Sequence, residues 1–569
     1  MEFKKYIADK ITETMEIVFG QVAEGVESFI EVPPNPDMGD FAFPCFRLSK
    51  TLRMAPPAIA GKLAEAMGAD ENIEKVECVG GYLNFFLKKS GYAQTIVEKV
   101  LAEGEKYGSC DEGQGKTVCI DYSSINIAKR FHIGHLSTTM LGNSLYKIYE
   151  HMGYKCVGIN HLGDWGTQFG KMLCAYLKWG NKEDVEARGV NALVELYVRF
   201  HKEAEEHPEL EDEGRAWFKK IEDKDPQATE IFNWFKDVTM KDVARVYDML
   251  GVTFDSYAGE SFYNDKMTPV IDELRDKGLL KESQGAYVVD LEEDKMPPCL
   301  ILKKDGATLY ATRDLAAIFY RKKTYDFAKV LYVVAYQQNL HFQQVFKVVE
   351  KMGYPWAKDL EHVAFGMVSY EGKALSTREG YVVYLDELLE RAVEKAKDII
   401  NEKSPNLENK DEVARQVGIG AVVFFDLFNN RIKDIDFRWD RALNFDGETG
   451  PYVQYTHARC CSVLRKAEDA GISAAPDYSA LNNATAQEVV RTLEKFPETV
   501  SEACHRNEPS MVTRFCVELA SSFNRFYYEN HILTDNLAAS AALVNLTRAT
   551  ASCIKLALSL IGVEAPEKM

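Results

Sequence analysis

Two histidines, His132 and His135, lie three residues apart at the start of a predicted helix, shortly after an apolar strand at 117–122. Residues three apart share one helix face, and a helix N-terminus offers free N–H groups and partial positive charge that favour phosphate. Imidazole N–H donors would stabilise charge developing on a phosphate as its bond breaks. Gly134 between them leaves room for a flat base or a sugar. The alternatives are surface histidines or half of a metal site, but the position in this loop favours a nucleotide site.

Three apolar strands position this loop. Runs at 117–122, 155–160 and 329–336, with a helical pattern at 133–152, predict a βαβ unit and a parallel sheet. Open parallel sheets bind ligands outside the carboxyl ends of their strands. The glycine-containing segment 160–170 follows the second strand, so we expect it beside the histidines, either contacting ligand or as a strand-to-helix turn.

Composition excludes several classes of protein. The chain has 569 residues, 46% of them apolar and 27% charged, with a net charge of −19, values that fit a globular protein. The charge argues against a protein coated for non-specific nucleic-acid binding. We expect no transmembrane helix, because no apolar run reaches about 18 residues, and no signal peptide. Twelve cysteines without a CxxC pair predict reduced thiols in the cytosol.

The pattern of elements divides the chain into three units. Residues 1–112 predict a small α+β domain, with an opening helix, a second helix after Pro56 and a strand at 82–87. Residues 113–440 carry the parallel sheet. Within them, 181–300 hold 16 Lys+Arg against 29 Asp+Glu and form an acidic, mostly helical insertion with a turn-rich end. From about Glu412 the pattern is helical to the end, so 441–569 predict an all-α domain.

The motifs resemble a known family. The tetrapeptide 132–135 resembles the HIGH signature of class I aminoacyl-tRNA synthetases, and the Ser-x-Asn-Ile-Ala-Lys run at 124–129 resembles arginyl-tRNA synthetases in particular. That family commonly has proline where this chain has Ile125. The resemblance implies an α/β Rossmann-like class I synthetase catalytic domain at 113–440. It also implies an N-terminal α+β domain that contacts the tRNA elbow and a C-terminal all-α anticodon-binding domain.

The resemblance also implies the arginine site. Tyr310 and Asp314, four apart on a helix, and the later Gln338 match family positions that contact the amino acid. A carboxylate takes a guanidinium bidentately, which suits Asp314. Asp121, at the end of the first strand, is a candidate second carboxylate. The implied arginine-contacting residues are Asp121, Ser124, Ile125, Asn126, His135, Tyr310, Asp314 and Gln338.

The segment 372–380 resembles the mobile KMSKS loop that closes over the triphosphate. Ala374 and Thr377 occupy the two lysine positions of that motif. In arginyl enzymes the lysine ahead of HIGH is thought to replace the second one, and Lys129 lies there. The implied catalytic residues are His132, His135 and Lys129, and the implied ATP-binding residues are His132, Gly134, His135, Lys373, Ser376, Thr377 and Arg378. The alternative for this loop is a plain solvated turn.

Three segments resemble the anticodon-binding part of the family: 444–459, 523–528 and the last eight residues. Aromatic side chains with nearby arginine suit single-stranded bases, which proteins read by stacking and edge hydrogen bonds. A helical core would bury such aromatics equally well. The implied tRNA-binding residues are Tyr452, Gln454, Arg459, Asn524 and Tyr527.

The sequence therefore predicts an arginine–tRNA ligase. It would activate L-arginine with Mg-ATP to arginyl-adenylate, releasing pyrophosphate, and pass arginine to the 3′-terminal ribose of its tRNA, releasing AMP. The resemblance implies a cytoplasmic monomer that needs tRNA for activation, with no protein-bound metal, DNA or membrane partner. Two rivals remain: another class I synthetase or nucleotidyltransferase, which would not need Asp314 with Tyr310 and Gln338, and a non-catalytic tRNA-binding paralogue, favoured by the missing loop lysines.

Overall fold

The computed structural model describes residues 2–304, 306–375 and 382–569. Its N-terminal unit combines helices with a small antiparallel sheet, as the sequence predicted. The elements are α1 (Glu2–Phe19), β1 (Phe41–Pro44), α2 (Ser49–Leu52), α3 (Pro56–Ala66), β2 (Ile73–Val79), β3 (Tyr82–Leu87) and α4 (Lys89–Glu103). The strand order is β1-β3-β2. Gly80 and Gly81 reverse the chain between β2 and β3 with φ values of 57° and 95°, which glycine adopts without steric cost.

The central unit is built on a parallel sheet with a helical insertion. Its elements are β4 (Thr117–Asp121), α5 (Leu136–His151), β5 (Lys155–Ile159), α6 (Thr167–Trp179), α7 (Lys182–Arg188), α8 (Val190–Glu206), α9 (Glu209–Glu222), α10 (Pro226–Leu250), α11 (Met267–Asp276), β6 (Leu280–Ser283), β7 (Ala286–Val289), β8 (Cys299–Lys303), α12 (Tyr310–Tyr325), β9 (Lys329–Tyr332), α13 (Asn339–Lys351), β10 (Leu360–His362), β11 (Val368–Tyr370), β12 (Lys373–Ala374), α14 (Leu385–Lys403), α15 (Lys410–Phe428), β13 (Ile435–Phe437) and α16 (Trp439–Ala442).

The parallel sheet has the order β10-β9-β4-β5. Crossover helix α5 joins β4 to β5, which confirms the βαβ prediction. Val118, Ile120 and Val330 are fully buried, as expected for strands covered on both faces. Gly142 in α5 lets this packing occur, because a Cβ there would lie 2.1 Å from the Tyr122 ring. The ends of β4 and β5 and the start of α5 therefore meet at one edge of the sheet.

The insertion is mostly helical, as predicted, but two details differ from the pattern. Its turn-rich end contains the antiparallel sheet β6-β7-β8, whose short strands the helical periodicity of 180–300 obscured. The chain after Glu412 is also not helical throughout, because Ile435–Phe437 forms β13. This strand pairs in parallel with β11, and β12 pairs with β11 on the other side. Both corrections concern strands of five residues or fewer, which local periodicity does not resolve.

The C-terminal unit consists of helices, as predicted. They are α17 (Gly450–Asp469), α18 (Ala484–His505), α19 (Ser510–Glu529) and α20 (Leu537–Leu560). In the part of the chain that is described, α20 is the one helix with the length and apolar composition to cross a membrane, and 67% of its most apolar window is buried inside the molecule. It packs against α17, α19 and α4. Burial in the helical unit accounts for its apolar composition.

Three hydrogen bonds tie α5 to the helices that follow the sheet. The Ser137 hydroxyl donates to the Asp426 carboxylate at 2.6 Å, and the Ser144 hydroxyl donates to the Leu560 carbonyl at 2.9 Å. The Tyr149 hydroxyl donates to the Asn507 side chain at 2.8 Å. The helix that begins at the two histidines is thus anchored along its length by chain far away in sequence.

Candidate functional site

The loop between β4 and α5 has a constrained backbone. Ser123, Ser124 and Ala128 have φ values of 67°, 42° and 62°, which cost non-glycine residues free energy and cluster at functional sites. Local bonds hold them there. The Ser123 hydroxyl is 2.7 Å from the Tyr247 hydroxyl, and the Ala128 amide donates to the Thr239 hydroxyl at 3.1 Å. Helix α10 of the insertion therefore fixes the loop that precedes the histidines.

His132 and His135 lie side by side at the entry to α5, with ring centroids 3.8 Å apart and ring planes tilted by 32°. The Gly134 amide donates to Nδ1 of His132 and the His132 amide donates to Nδ1 of His135, both at 3.1 Å. Burial lowers the pKa of both imidazoles, that of His135 to about 3, with the charge of Lys129 adding to the effect. Both rings are therefore neutral at pH 7, and because each Nδ1 accepts a bond, each Nε2 carries the proton. The pair presents two Nε2–H donors.

Gly134 leaves less room for a ligand than the sequence suggested. A Cβ there would lie 2.9 Å from Cε1 of His132. The glycine is needed first for the histidine ring that folds back over it.

The loop after β5 is joined to the first loop. The Gly163 amide donates to the Ile125 carbonyl at 2.8 Å, and the Ile127 amide donates to the Gly163 carbonyl at 3.1 Å. A Cβ on Gly163 would lie 2.2 Å from Oδ1 of Asn126, so this close approach requires glycine. Asp164 is fully buried and bonded to Lys236 at 2.5 Å. This segment braces the site, as the strand-to-helix reading of 160–170 expected, and it aligns Asn126.

A cavity of about 450 Å³ opens beside the histidines. Its lining is apolar apart from a few polar groups, as is typical of ligand pockets. The lining residues are His132, Gly134, Ala335, Phe365, Gly366, Met367, Val368, Ser369, Ala374, Leu375, Val382, Asp434 and Ile435. The cavity has a volume and an apolar lining that suit a nucleotide base. Apart from His132, Gly134 and residues 374–375 of the KMSKS-like segment, these residues were not singled out in the sequence, because they lack a chemical signature.

The KMSKS-like segment lies at this cavity. Lys373 is exposed on β12, in a tight hairpin whose turn residues Glu371 and Gly372 have φ values of 49° and 77°. Leu375 and Val382 both line the cavity. Ser376, Thr377 and Arg378, which the sequence predicts to bind ATP, lie outside the described residues. Lys129 is exposed just ahead of the histidines.

A second group of predicted residues lies on α12 and α13. Tyr310 is 71% exposed at the start of α12, and Gln338 is exposed at the start of α13. Asp314 has one carboxylate oxygen 2.6 Å from Nε2 of His341. The bond to His341, a residue that sequence reasoning missed, fixes the orientation of this half-exposed carboxylate. Asp314 is thus available to a cation from the solvent side.

Glu260 provides a second carboxylate close to Asp314. It lies in the insertion and is bonded to Arg313 at 3.2 Å. Burial raises the pKa of Glu260 to about 7, against the attraction of Arg313 and with the help of the negative charges of Asp314 and Asp164. We call Glu260 and Asp314 the wall, because they place two carboxyl groups beside the guanidinium of Arg313. A bound guanidinium would balance the second carboxylate.

Asp121, which the sequence suggests as a contact for substrate arginine, pairs with an arginine of this chain. Its carboxylate forms a buried ion pair with Arg321 at 2.7 Å and accepts a bond of 2.6 Å from the Ser124 hydroxyl. Arg321 is only 1% exposed. We call this pair the floor. Because Arg321 already pairs with Asp121, the carboxylate is compensated within the chain, and an arginine contact for Asp121 stays a prediction.

The remaining predicted arginine contacts divide into side chains and backbone. Asn126 is exposed at the loop surface and Ser124 is half-buried. Ile125 is 2% exposed, so its side chain belongs to the core and only its backbone borders the site. The structure thus places Ser124, Asn126 and His135 in one loop, and Tyr310, Asp314 and Gln338 in neighbouring helix starts.

The predicted tRNA-binding residues are only partly at the surface. Gln454 is fully buried and donates to the carbonyls of Gln416 and Glu564 at 3.0 and 2.8 Å. Asn524 is 8% exposed and donates to the Thr456 hydroxyl at 2.9 Å. Both amides are used inside the helical unit and neither lies at the surface of the described structure, so a direct tRNA contact for them stays a prediction. Helical spacing alone does not distinguish a buried amide from an exposed one.

An aromatic cluster surrounds Arg459 instead. Its guanidinium lies 4.9, 5.2 and 5.9 Å from the ring centroids of Tyr455, Tyr527 and Tyr528. Tyr455 and Tyr528 are 43% and 79% exposed, and Tyr452 is half-buried one turn away. Of the predicted set, Arg459 and Tyr527 belong to this cluster, and Tyr455 and Tyr528 were missed although they lie beside them in the sequence. Exposed rings with an interleaved guanidinium form a stacking platform for bases.

Comparisons with known proteins agree across the chain. A family model described as tRNA synthetases class I (R), catalytic domain, matches residues 96–439. A DALR anticodon binding domain model matches 453–569, and an arginyl tRNA synthetase N terminal domain model matches 1–87. The arginine–tRNA ligases of Clostridioides difficile and Alkaliphilus metalliredigens are 56% and 54% identical to this chain over the full length of both proteins.

Solved structures agree with these matches. The arginyl-tRNA synthetase of Thermus thermophilus is 25% identical and superposes with a TM-score of 0.82 over 100% of both chains. That of Plasmodium falciparum is 23% identical with a TM-score of 0.79, covering 100% of this chain and 99% of its own, and shows the common fold.

Proposed function

Because the chain belongs to the arginyl-tRNA synthetase family, we propose that the nucleotide cavity holds ATP and that the acidic wall holds the arginine side chain. The overall reaction is the ligation of arginine to tRNA with consumption of ATP. The observation that carries this assignment is the wall. Glu260 and Asp314 place two carboxyl groups beside the guanidinium of Arg313, and the pKa of Glu260 is raised to about 7.

Arginine would bind with its guanidinium between the wall carboxylates. Tyr310 would pack on the aliphatic stem, and Ser124, Asn126, His135 and Gln338 would contact the polar groups. The backbone of the loop that carries Ser124 and Asn126 is bonded to Gly163. These bonds hold the two side chains in place before the substrate arrives. Citrulline, which lacks the charge, would leave buried carboxylate unpaired, so the pocket rejects it strongly.

The histidine pair would act on the phosphates. The substrate carboxylate attacks the α-phosphate of Mg-ATP, the bond to pyrophosphate breaks, and the Nε2–H donors of His132 and His135 stabilise the negative charge on the phosphate oxygens. Their neutral state supports this role. Each neutral imidazole accepts a backbone bond at Nδ1 and keeps a proton on Nε2 that it can donate to a phosphate oxygen. Mg²⁺ arrives with the ATP substrate. Lys129 supplies the cation that the KMSKS-like segment lacks at Thr377.

The second step would pass arginine from the adenylate to the terminal ribose of the tRNA. We propose that the cluster formed by Tyr455, Arg459, Tyr527 and Tyr528 stacks on anticodon bases. The exposed rings and the guanidinium among them support this role. The active species is proposed to be a monomer. Twelve free thiols support the cytoplasmic location.

The test is ATP–pyrophosphate exchange by the purified protein with arginine, citrulline or lysine, each with and without tRNA. Exchange with arginine alone among these amino acids is expected. Exchange that also needs tRNA would establish the family's tRNA dependence here. Absence of exchange with retained tRNA binding would favour the non-catalytic paralogue.

Lys129→Ala should slow adenylate formation far more than Thr377→Ala, and the reverse order would move the catalytic cation into the loop.

A further inference from the structure

The turn between α18 and α19 reaches the central unit through one asparagine. Asn507 is fully buried and has a left-handed φ of 50°. Its side-chain oxygen accepts the bond from Tyr149 near the end of α5, and its amide nitrogen donates to the Glu361 carboxylate on β10 at 2.6 Å. A single side chain of the helical unit therefore holds both a helix and an edge strand of the parallel sheet.

Arg431, in the loop between α15 and β13, extends this network toward the nucleotide cavity. Its Nε donates to the Asn507 carbonyl at 2.9 Å and its Nη1 donates to the Ala364 carbonyl at 2.6 Å. Its own carbonyl accepts a bond of 2.8 Å from the Gly366 amide, and its amide donates to the Glu508 carboxylate at 3.3 Å. One residue thus connects the α18–α19 turn to both ends of segment 364–366.

The segment that Arg431 holds forms one side of the nucleotide cavity. Phe365, Gly366 and Met367 line that cavity. A Cβ on Gly366 would lie 2.3 Å from the Lys433 carbonyl, so this segment packs closely against the neighbouring backbone. The Met367 amide is also fixed, by a bond of 2.7 Å to the Asp434 carboxylate. A shift of Arg431 would therefore move segment 364–366 as a unit.

We propose that Arg431 and Asn507 are positioning residues for ATP, through which the helical unit sets the shape of the nucleotide cavity. The inference rests on the proposed function for the identity of the nucleotide. Neither side chain lines the cavity in the described structure, so both act through segment 364–366. The guanidinium is essential because its planar fork reaches two carbonyls at once, whereas a lysine ammonium is a point donor.

The experiment uses the full chain with Arg431→Lys, Asn507→Gly, and the two together. Glycine keeps the left-handed backbone of position 507 and removes the amide. Arg415→Lys is the matched control, since Arg415 lies on α15 and bonds Glu412 and Glu564 in a partly exposed position. A non-hydrolysable ATP analogue is titrated by calorimetry, and KM for ATP, arginine and tRNA is measured in charging assays, with Tm alongside.

We expect both single variants to raise the analogue Kd and the KM for ATP by about tenfold, equal to about 1.4 kcal/mol. KM for arginine and tRNA should stay within about twofold, since other elements form those sites. The double variant should bind no more weakly than the poorer single variant, because residues in one network are non-additive. Arg415→Lys should match the wild type.

Two results would overturn the inference: unchanged analogue binding in both single variants, or a parallel rise of all three KM values with a lowered Tm, which indicates a purely structural role. If Asn507→Gly fails to fold, Tyr149→Phe replaces it. This variant removes the bond to the Asn507 side-chain oxygen without adding a charge, and should show a smaller loss of ATP binding with the same selectivity. Analogue binding is read without catalysis, so a wild-type protein that binds the analogue but shows no arginine-dependent exchange contradicts the proposed function separately.

Discussion

The floor and the wall of the arginine pocket carry carboxylates in opposite electrostatic situations. On the floor, Asp121 is neutralised by Arg321 and bonded by Ser124. On the wall, Glu260 pairs with Arg313 and Asp314 with His341, and burial, with the nearby charge of Asp314, raises the pKa of Glu260 to about 7. The difference separates scaffold from proposed binding site: breaking the buried floor pair would leave an uncompensated charge in the core, whereas the half-exposed Asp314 can accept a further cation.

Removal of the wall charge should have the largest effect. Asp314→Asn is expected to lower kcat/KM for arginine about 100-fold, because a hydrogen bond to a charged partner contributes about 1.5–3 kcal/mol, and to leave KM for ATP unchanged. Exchange assays over a range of arginine concentrations measure this. Asp326→Asn at the exposed end of the same helix is the control. A loss below about threefold would remove Asp314 from the substrate site.

The floor should respond in stability rather than in binding. Asp121→Asn leaves the Arg321 guanidinium buried without its partner, and breaking such a pair costs about 3–5 kcal/mol of unfolding free energy. Denaturant unfolding of the variant measures this loss. In the folded fraction, KM for arginine should change less than for Asp314→Asn. The opposite pattern, normal stability with a raised KM for arginine, would restore Asp121 as the substrate contact that the sequence suggested.

Glu260 sharpens the comparison through pH. In the free protein its carboxyl is protonated below about pH 7, and a guanidinium binds the ionised form. KM for arginine should therefore rise as pH falls from 8 to 6 in the wild type. Glu260→Gln should raise KM about tenfold at pH 8 and flatten this profile. KM for ATP, measured over the same pH range, is the internal reference. An unaltered slope in the variant would assign the titration to another group.

Asp426 is a third case, a buried carboxyl that pairs with no cation among the described residues. Burial raises its pKa to about 7, opposed by the bond from Ser137. The folded protein thus binds a proton that the unfolded chain releases near pH 4, so this group lowers stability as pH rises from about 4 to 7. Asp426→Asn should raise Tm by about 2 °C at pH 8 and change it little at pH 5. Equal shifts at both pH values would argue against a buried titration.

The sequence predicted those parts of the site whose chemistry is local. The histidine pair, the βαβ unit and the α+β and helical units were recognisable because motif spacing and periodicity act over short stretches. The partner of Asp121 was not recognisable, because Arg321 is 200 residues away and its burial is set by the sheet. Glu260 was missed for the same reason, since it lies in an insertion without a characteristic motif.

The predicted anticodon-binding residues show that sequence reasoning can also place buried side chains at the surface. Gln454 and Asn524 have the right side chains for reading bases, yet they are buried and satisfied within the helical unit. Tyr528 looks like a core residue by type and is 79% exposed. Periodicity identifies the apolar face of a helix, but burial of an individual amide depends on which helix packs against it.

The bonds between α5 and the C-terminal helices set an order of events during synthesis. The partners Ser144 and Leu560 are 416 residues apart. At about 5–20 residues per second the ribosome needs about 20–80 s to cover that interval. During this time the helix that carries the histidines is made but lacks its cover, and its apolar face is available to chaperones or to neighbouring nascent chains. Premature termination would thus yield a product whose most exposed surface adjoins its intended catalytic centre.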